Sequence, residues 1–227
     1  MNNWTLIVPA GGVGSRMGAN RPKQYLEIEG KPILFYTLKA LNQHFHQPKF
    51  ILAMATEWVE YMLPFLNEAG LTERCTLVAG GKERYDSVKN ALTEVHTPWV
   101  GVHDAVRPFV SQETVDRLCE GIAHHAAVIP VVGLKESLRK KTSIGTEAVD
   151  RSHFMNVQTP QCFHVEHLQR AYGIPFDETV TDDASLVERT GVTIHTVLGN
   201  DENIKILGHG FSLREHGKIA QYQHRSP

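Results

Sequence analysis

Short apolar runs alternate with helix-spaced segments from residue 4 to about residue 132, and no other feature of the chain restricts its fold as much. Trp4–Val8, Phe50–Met54, Thr76–Val78, Trp99–His103 and Ala127–Val132 read as buried strands. Between them, Ile33–Leu41, Trp58–Leu66, Tyr85–Val95 and Glu113–Ala123 read as helices. Pro32 suits the start of the first of these, and the Ser111 hydroxyl can accept a free N–H at the start of the last. Such alternation implies βαβ crossovers. The expected class is α/β, an open, mostly parallel sheet with helices on both faces.

The rhythm changes after Val132. Leu134–Lys141 and Glu147–Asp150 read as two polar strands joined by a turn at Ser143–Gly145. This β-arm, at about 134–150, carries Lys135, Arg139, Lys140 and Lys141 and little apolar surface, so it is expected to lean on another chain or to cover a site. Helices are expected again at Val165–Tyr172 and Asp183–Thr190, a strand at Val192–Val197 and a last helix near Ser212–Gln221.

Composition narrows the function classes. At 227 residues, with 41% hydrophobic and 21% charged, the chain suits one globular domain and excludes long disorder. Lys and Arg total 23 against 25 Asp and Glu, so a general nucleic-acid binder, which needs a basic surplus, is disfavoured. Cys75, Cys119 and Cys162 are far apart and form no CxxC pair, which argues against a disulfide scaffold and for a reducing compartment. No apolar stretch approaches the roughly 20 residues of a membrane helix, and the N-terminus has no basic leader segment. The expectation is a cytoplasmic protein with no nucleic-acid or membrane partner.

The strongest motif is Pro9-Ala10-Gly11-Gly12-Val13-Gly14-Ser15-Arg16-Met17-Gly18, followed by Pro22-Lys23-Gln24. It lies just beyond the first strand, where open parallel sheets bind ligands. Glycines let backbone N–H groups approach a phosphate, and Arg16 and Lys23 add full positive charge. No Gly-Lys-Ser/Thr follows, so this is not a Walker A loop, and Met17 stands where a dinucleotide fingerprint needs its third glycine. The competing reading is a tight turn with solvated charges. Gly80-Gly81-Lys82-Glu83-Arg84-Tyr85-Asp86-Ser87 is a second strand-to-helix junction, where small residues admit a planar base and Ser87 can bond its edge. Alone it reads more simply as a glycine turn with a charged first helical turn. His103-Asp104-Ala105-Val106-Arg107-Pro108 follows the fourth strand. Asp104 could hold Mg²⁺ there, directly or through water, and Arg107 could fork onto a phosphate, unless the two merely brace the loop.

The order of these motifs, with Val149-Asp150-Arg151, Thr159-Pro160-Gln161, Thr181-Asp182-Asp183-Ala184-Ser185 and Asn203-Ile204-Lys205, resembles the 2-C-methyl-D-erythritol 4-phosphate cytidylyltransferases of non-mevalonate isoprenoid synthesis. The resemblance covers nearly the whole chain. It implies a single Rossmann-like nucleotidyltransferase domain over 1–227, with the β-arm used in a homodimer. The implied reaction joins CTP to a polyol phosphate and releases pyrophosphate, with Mg²⁺ or another divalent cation as cofactor. Relatives that make CDP-ribitol share most of these features, but Asp104-Ala105 and Asp183-Ala184-Ser185 look more like the erythritol-phosphate branch.

The resemblance also implies roles. Arg16, Lys23 and Lys205 would act on the triphosphate and its transition state. Ala10, Gly11, Gly12, Gly14, Ser15, Gly80 and Ser87 would hold the nucleotide. Asp104, Ala105, Arg107, Ser137, Thr159 and Thr181 would face the polyol phosphate, with Arg151 reaching the site of the other subunit. Gly11 stands where the family usually has Ala, and Glu136-Ser137 where it usually has Asp-Thr. A non-catalytic nucleotide module would have lost Lys23 or Lys205, and both are present. A zinc site at His44-x-His46 or His124-His125 lacks a third ligand at suitable spacing.

Overall fold

The computed structural model describes residues 3–12 and 21–206, and the backbone of 211–214 and 218–221. Gly14, Ser15 and Arg16 lie outside the described residues. In chain order the elements are β1 Trp4–Pro9, β2 Glu27–Ile28, β3 Lys31–Pro32, α1 Ile33–His44, β4 Lys49–Met54, α2 Val59–Glu68, β5 Cys75–Ala79 and α3 Arg84–Leu92. Then follow β6 Trp99–Val102, α4 Gln112–Ile122, β7 Ala127–Gly133, β8 Leu138–Thr142, β9 Gly145–Val149, β10 Met155–Val157 and β11 Gln161–His164. The remainder is α5 Val165–Ala171, α6 Asp183–Glu188, β12 His195–Leu198, β13 Phe211–Arg214 and β14 Lys218–Gln221.

The main sheet has the order β10-β7-β11-β6-β1-β4-β5, with β12 also paired to β7. β1 is parallel to β4 and β6, β4 to β5, and β12 to β7. β10 and β11 run antiparallel to β7, and β11 also antiparallel to β6. The strand period of two sends alternate side chains to opposite faces. Leu6 and Val8 of β1 pack into one core with Leu34, Leu38, Met62 and Leu118, whereas Ile7 packs into a second with Val88, Leu168 and Leu186. Helices α1, α2 and α4 thus cover one face and α3, α5 and α6 the other. Each fully buried Leu or Ile in these layers contributes about 1.5–3 kcal/mol.

Several elements differ from expectation. The last helix expected near Ser212–Gln221 is instead the antiparallel pair β13–β14. Phe211-Ser212-Leu213-Arg214 alternates apolar and polar residues, which is a strand period, and that signal outweighs the helical propensity of the segment. β10 and β11 had no counterpart in the sequence reading. The strand expected at Val192–Val197 begins at His195 and ends at Leu198. The arm is present as the β8–β9 hairpin, and almost every residue in it is exposed. Arg139 donates to the Thr146 hydroxyl at 2.8 Å and Lys140 pairs with Glu147, so its bonds are largely internal. Among the described residues, no helix is long and apolar enough to cross a membrane.

Candidate active site

The C-terminal ends of β5, β4, β1 and β6 lie side by side, so the junctions that follow them converge. At the end of β1 the Ala10 N–H donates to the Ala53 carbonyl at 2.7 Å, which keeps the chain on the sheet as far as the glycines. The Ala10 carbonyl accepts from Gln24 Nε2 at 2.7 Å and from the Tyr25 hydroxyl at 3.1 Å. Gln24 Nε2 also reaches the Gly12 carbonyl at 2.9 Å. The single turn Lys23–Tyr25 therefore holds the Ala10–Gly12 segment through Gln24 and Tyr25, with Lys23 at its start.

Gly11 and Gly80 approach each other backbone to backbone. A Cβ on Gly80 would stand 2.9 Å from Gly11 Cα, and one on Gly11 would stand 3.0 Å from Gly80 Cα and 3.3 Å from Ser87 Oγ. An alanine at Gly11 would force its neighbours to give by a few tenths of an ångström. The glycine is thus matched to the tight seam here. Ser87 Oγ accepts from the Gly81 N–H at 2.9 Å and donates to the Glu83 carbonyl at 3.2 Å, so it shapes the Gly80-Gly81 turn. Glu83 and Asp86 form a capping box at the start of α3.

The HDAVR loop after β6 is braced from within. His103 Nε2 faces the Arg107 carbonyl at 2.9 Å and so carries the proton, leaving Nδ1 to accept from the Thr159 hydroxyl at 3.1 Å. The Thr159 oxygen in turn accepts from the Asp104 N–H at 3.2 Å. Burial pushes the His103 pKa down to about 4, so the ring is neutral, as this pattern requires. The Ala105 carbonyl is held by the Thr37 hydroxyl at 3.0 Å.

Asp104 is the electrostatic centre. Its Oδ2 lies 3.1 Å from both Arg107 Nε and Lys205 Nζ, and its Oδ1 lies 3.5 Å from Arg84 Nε. Arg107 Nη1 also donates to the Asn203 carbonyl at 2.7 Å, and the Ile206 N–H donates to the Val106 carbonyl at 3.0 Å. These bonds draw the 203–206 segment against the loop and fix the root of Lys205. Burial by itself would raise the Asp104 pKa, but Arg84, Lys205 and Arg107 outweigh it and hold the carboxyl well below its ordinary value of 3.8. The unfolded chain therefore binds a proton near pH 4 that the folded chain refuses. The stability Asp104 contributes is fully present above that pH and is lost as pH falls toward the folded pKa. Asp104→Asn is expected to cost about 3 kcal/mol near pH 7, or about 6–12 °C in melting temperature. Melts between about pH 7 and pH 3 should show the gap from wild type closing on acidification.

Arg84 is a site residue the motif reading did not single out. Its Nη1 and Nη2 fork onto Asp183 at 3.1 and 2.7 Å, and its Nε faces Asp104. A cation in the first turn of a helix opposes the macrodipole, which was the available sign that a carboxylate must be near. Asp182 caps α6 by accepting the Ser185 N–H at 2.8 Å, and Gln161 bonds both Asp182 and the Ala184 N–H. Thr181 precedes that cap. It lines a cavity of about 160 Å³ with Arg84, Tyr85, Tyr172, Phe176 and Val180.

The described residues thus bring together Ala10, Gly11, Gly12, Gly80 and Ser87 at one seam, and Asp104, Ala105, Arg107, Thr159 and Lys205 beside it. Ser137 belongs to the exposed arm, and Arg151 is exposed just after it. Arg151 donates to the Lys135 carbonyl, and Lys135 pairs with Asp201 at 2.6 Å. Among the described residues, no group of three His, Cys, Asp or Glu could hold a metal. Three cations within 3.5 Å of Asp104 also repel a dication, so that carboxylate does not fit a direct Mg²⁺ ligand in this arrangement.

Residues 4–210 match the family described as IspD, 2-C-methyl-D-erythritol 4-phosphate cytidylyltransferase. The chain belongs to this family. It is 45% identical over 203 residues to the Bacteroides thetaiotaomicron 2-C-methyl-D-erythritol 4-phosphate cytidylyltransferase, covering 89% of this chain and 93% of that protein. The Bacteroides fragilis cytidylyltransferase is 43% identical over the same shares. Among solved structures, the 4-diphosphocytidyl-2C-methyl-D-erythritol synthase of Anaerococcus prevotii superposes with a TM-score of 0.78 at 25% identity, over 91% of each chain. The Thermus thermophilus cytidylyltransferase gives 0.71 at 28%, over 88% of this chain and 91% of that one. The sheet is therefore that of a cytidylyltransferase fold.

Proposed function

We propose that this chain transfers CMP from CTP to 2-C-methyl-D-erythritol 4-phosphate, giving 4-diphosphocytidyl-2-C-methyl-D-erythritol and pyrophosphate. A phosphate oxygen of the polyol attacks the α-phosphorus, and the bond from that phosphorus to the β-phosphate oxygen breaks. The attacking oxyanion needs no general base near pH 7, so the protein's task is positioning and charge neutralisation. The observation that carries this reading is the junction of a backbone-to-backbone glycine seam with Arg84, Arg107 and Lys205 gathered on one carboxylate. Gly12, where an added Cβ would meet nothing within 4 Å, leaves open space beside the seam for a flat base. Arg84, Arg107 and Lys205 outnumber the two carboxylates they meet, Asp104 and Asp183, and the surplus charge attracts another anion.

On this reading Ala10, Gly11, Gly12, Gly14, Ser15, Gly80 and Ser87 hold the nucleotide, and Arg16, Lys23 and Lys205 meet the phosphates. Asp104, Ala105, Arg107 and Thr181 border the polyol phosphate. Thr159 supports them through its bonds to His103 and the Asp104 N–H. A divalent cation would come with the triphosphate, with Asp104 reaching it at most through water, and would offset part of the phosphate charge. Ser137 borders the polyol phosphate from the arm, and Arg151, just after the arm, acts from a second copy in a homodimer. Support for that assembly comes from exposed Ile144 at the arm tip and exposed Phe154, Met155 and Val157 next to its base. The whole chain then works as one nucleotidyltransferase domain. Three free cysteines suit a cytoplasmic setting.

The test is pyrophosphate release from CTP with a panel of sugar and polyol phosphates. The expected result is release with 2-C-methyl-D-erythritol 4-phosphate at least about 10-fold faster than with ribitol 5-phosphate. Faster release with ribitol 5-phosphate would make the chain a CDP-ribitol enzyme. Nucleotide binding with no release from any polyol would make it a non-catalytic module.

A further inference from the structure

Asp183 is completely buried, yet it is not the cap of its own helix, because Asp182 already holds the Ser185 N–H. All three hydrogen bonds of its carboxylate point away from α6. Oδ1 accepts from the Tyr172 hydroxyl at 2.5 Å and from Arg84 Nη1 at 3.1 Å, and Oδ2 accepts from Arg84 Nη2 at 2.7 Å. The Tyr172 ring is itself fixed. It stacks on Tyr85 with centroids 4.8 Å apart, and the Tyr85 hydroxyl donates to the Tyr172 and Ile174 carbonyls at 3.1 and 2.6 Å. A continuous chain of contacts therefore runs from Tyr172 through Asp183 and Arg84 to Asp104, and from there to Lys205.

We propose that Asp183 and Tyr172 are positioning residues that aim Arg84, and through it set the Asp104 carboxylate that holds Lys205. The argument is one of competition for donors. A guanidinium prefers to fork both oxygens of one carboxylate. With its end-on face engaged by Asp183, Arg84 presents only its side to Asp104, and the closest approach there is Nε at 3.5 Å. Asp104 Oδ2 then stays with Arg107 and Lys205. Without Asp183, Arg84 is free to fork onto Asp104, rotating that carboxylate and displacing Lys205. Stability alone does not account for the device, since a buried ion pair is often matched by apolar residues of the same volume.

The proposal rests on the cytidylyl-transfer reading and is tested by a kinetic double-mutant cycle on the full chain with CTP and the polyol phosphate. Asp183→Asn is expected to lower kcat about 10- to 100-fold with KM for CTP changed by less than about 2-fold, because the glycine seam is untouched. Tyr172→Phe, which keeps the ring and its stacking, should lower kcat about 3- to 10-fold. In an Arg84→Lys background, where no fork exists to aim, both substitutions should have almost no further effect. If each lowers kcat by the same factor in both backgrounds, the roles are merely structural and the proposal is overturned. The same holds if only KM for CTP changes. Should Asp183→Asn fail to fold, the Tyr172→Phe arm decides alone. A wild type that releases no pyrophosphate overturns the functional reading and this proposal with it, whereas an active wild type with an additive cycle overturns only the latter.

Discussion

Lys23→Ala is expected to lower turnover by about 10²–10³-fold while weakening CTP binding far less, because its charge counts most when negative charge builds on the oxygens around the α-phosphorus. The fold supports that role. Lys23 opens a turn whose next two residues, Gln24 and Tyr25, are buried and bonded to the Ala10 and Gly12 carbonyls. Its backbone is therefore tied to the glycine segment itself, which keeps its ammonium within a side chain's reach of whatever that segment binds. Because Gln24 and Tyr25 are untouched in the variant, the seam should keep its shape and CTP should still dock. Steady-state kinetics beside direct CTP titration separates the two effects. A change confined to KM would show that Lys23 only binds the ground state.

The parts of this architecture legible in the sequence were those written as repeated patterns. Leu6, Ile7 and Val8 announce a strand buried on both faces, and the glycine clusters after β1 and β5 mark the junctions that meet at the Gly11–Gly80 seam. Ser111 caps α4 as expected, accepting the Thr114 N–H. What stayed hidden depends on contacts distant in sequence. β10 and β11 are only three and four residues long, separated by Gln158-Thr159-Pro160, too short for either period to register. Arg84 reads as an ordinary surface charge until Asp183, 99 residues later, is seen to hold it. Thr159 belongs to a recognisable motif, yet only the structure reveals that its hydroxyl serves His103 and Asp104. In each case the residue type was visible and the partner was not.

On the proposed homodimer reading, Arg151 has a different kind of hidden partner, one outside its own chain. Within the chain it lies at the base of the arm, exposed, and bonds the Lys135 carbonyl rather than the Asp104 cluster. An isolated two-stranded hairpin with this little apolar content is at best marginal, so a second copy is the natural support for it. If that copy also receives Arg151, each site is built from both chains. Two variants then make the test. Lys23→Ala and Arg151→Ala homodimers are each expected to be nearly inactive. Mixed in equal amounts under conditions that allow exchange, about half the dimers contain one chain of each kind. In such a dimer one site combines an intact Lys23 with the neighbour's intact Arg151, while the other site lacks both. About one quarter of all sites should then regain full turnover, a rise far above either parent. If Arg151 serves its own chain, no mixed site is whole and the mixture stays as inactive as its parts. Sedimentation that finds only monomer at working concentration would remove the interface on which the expected recovery depends.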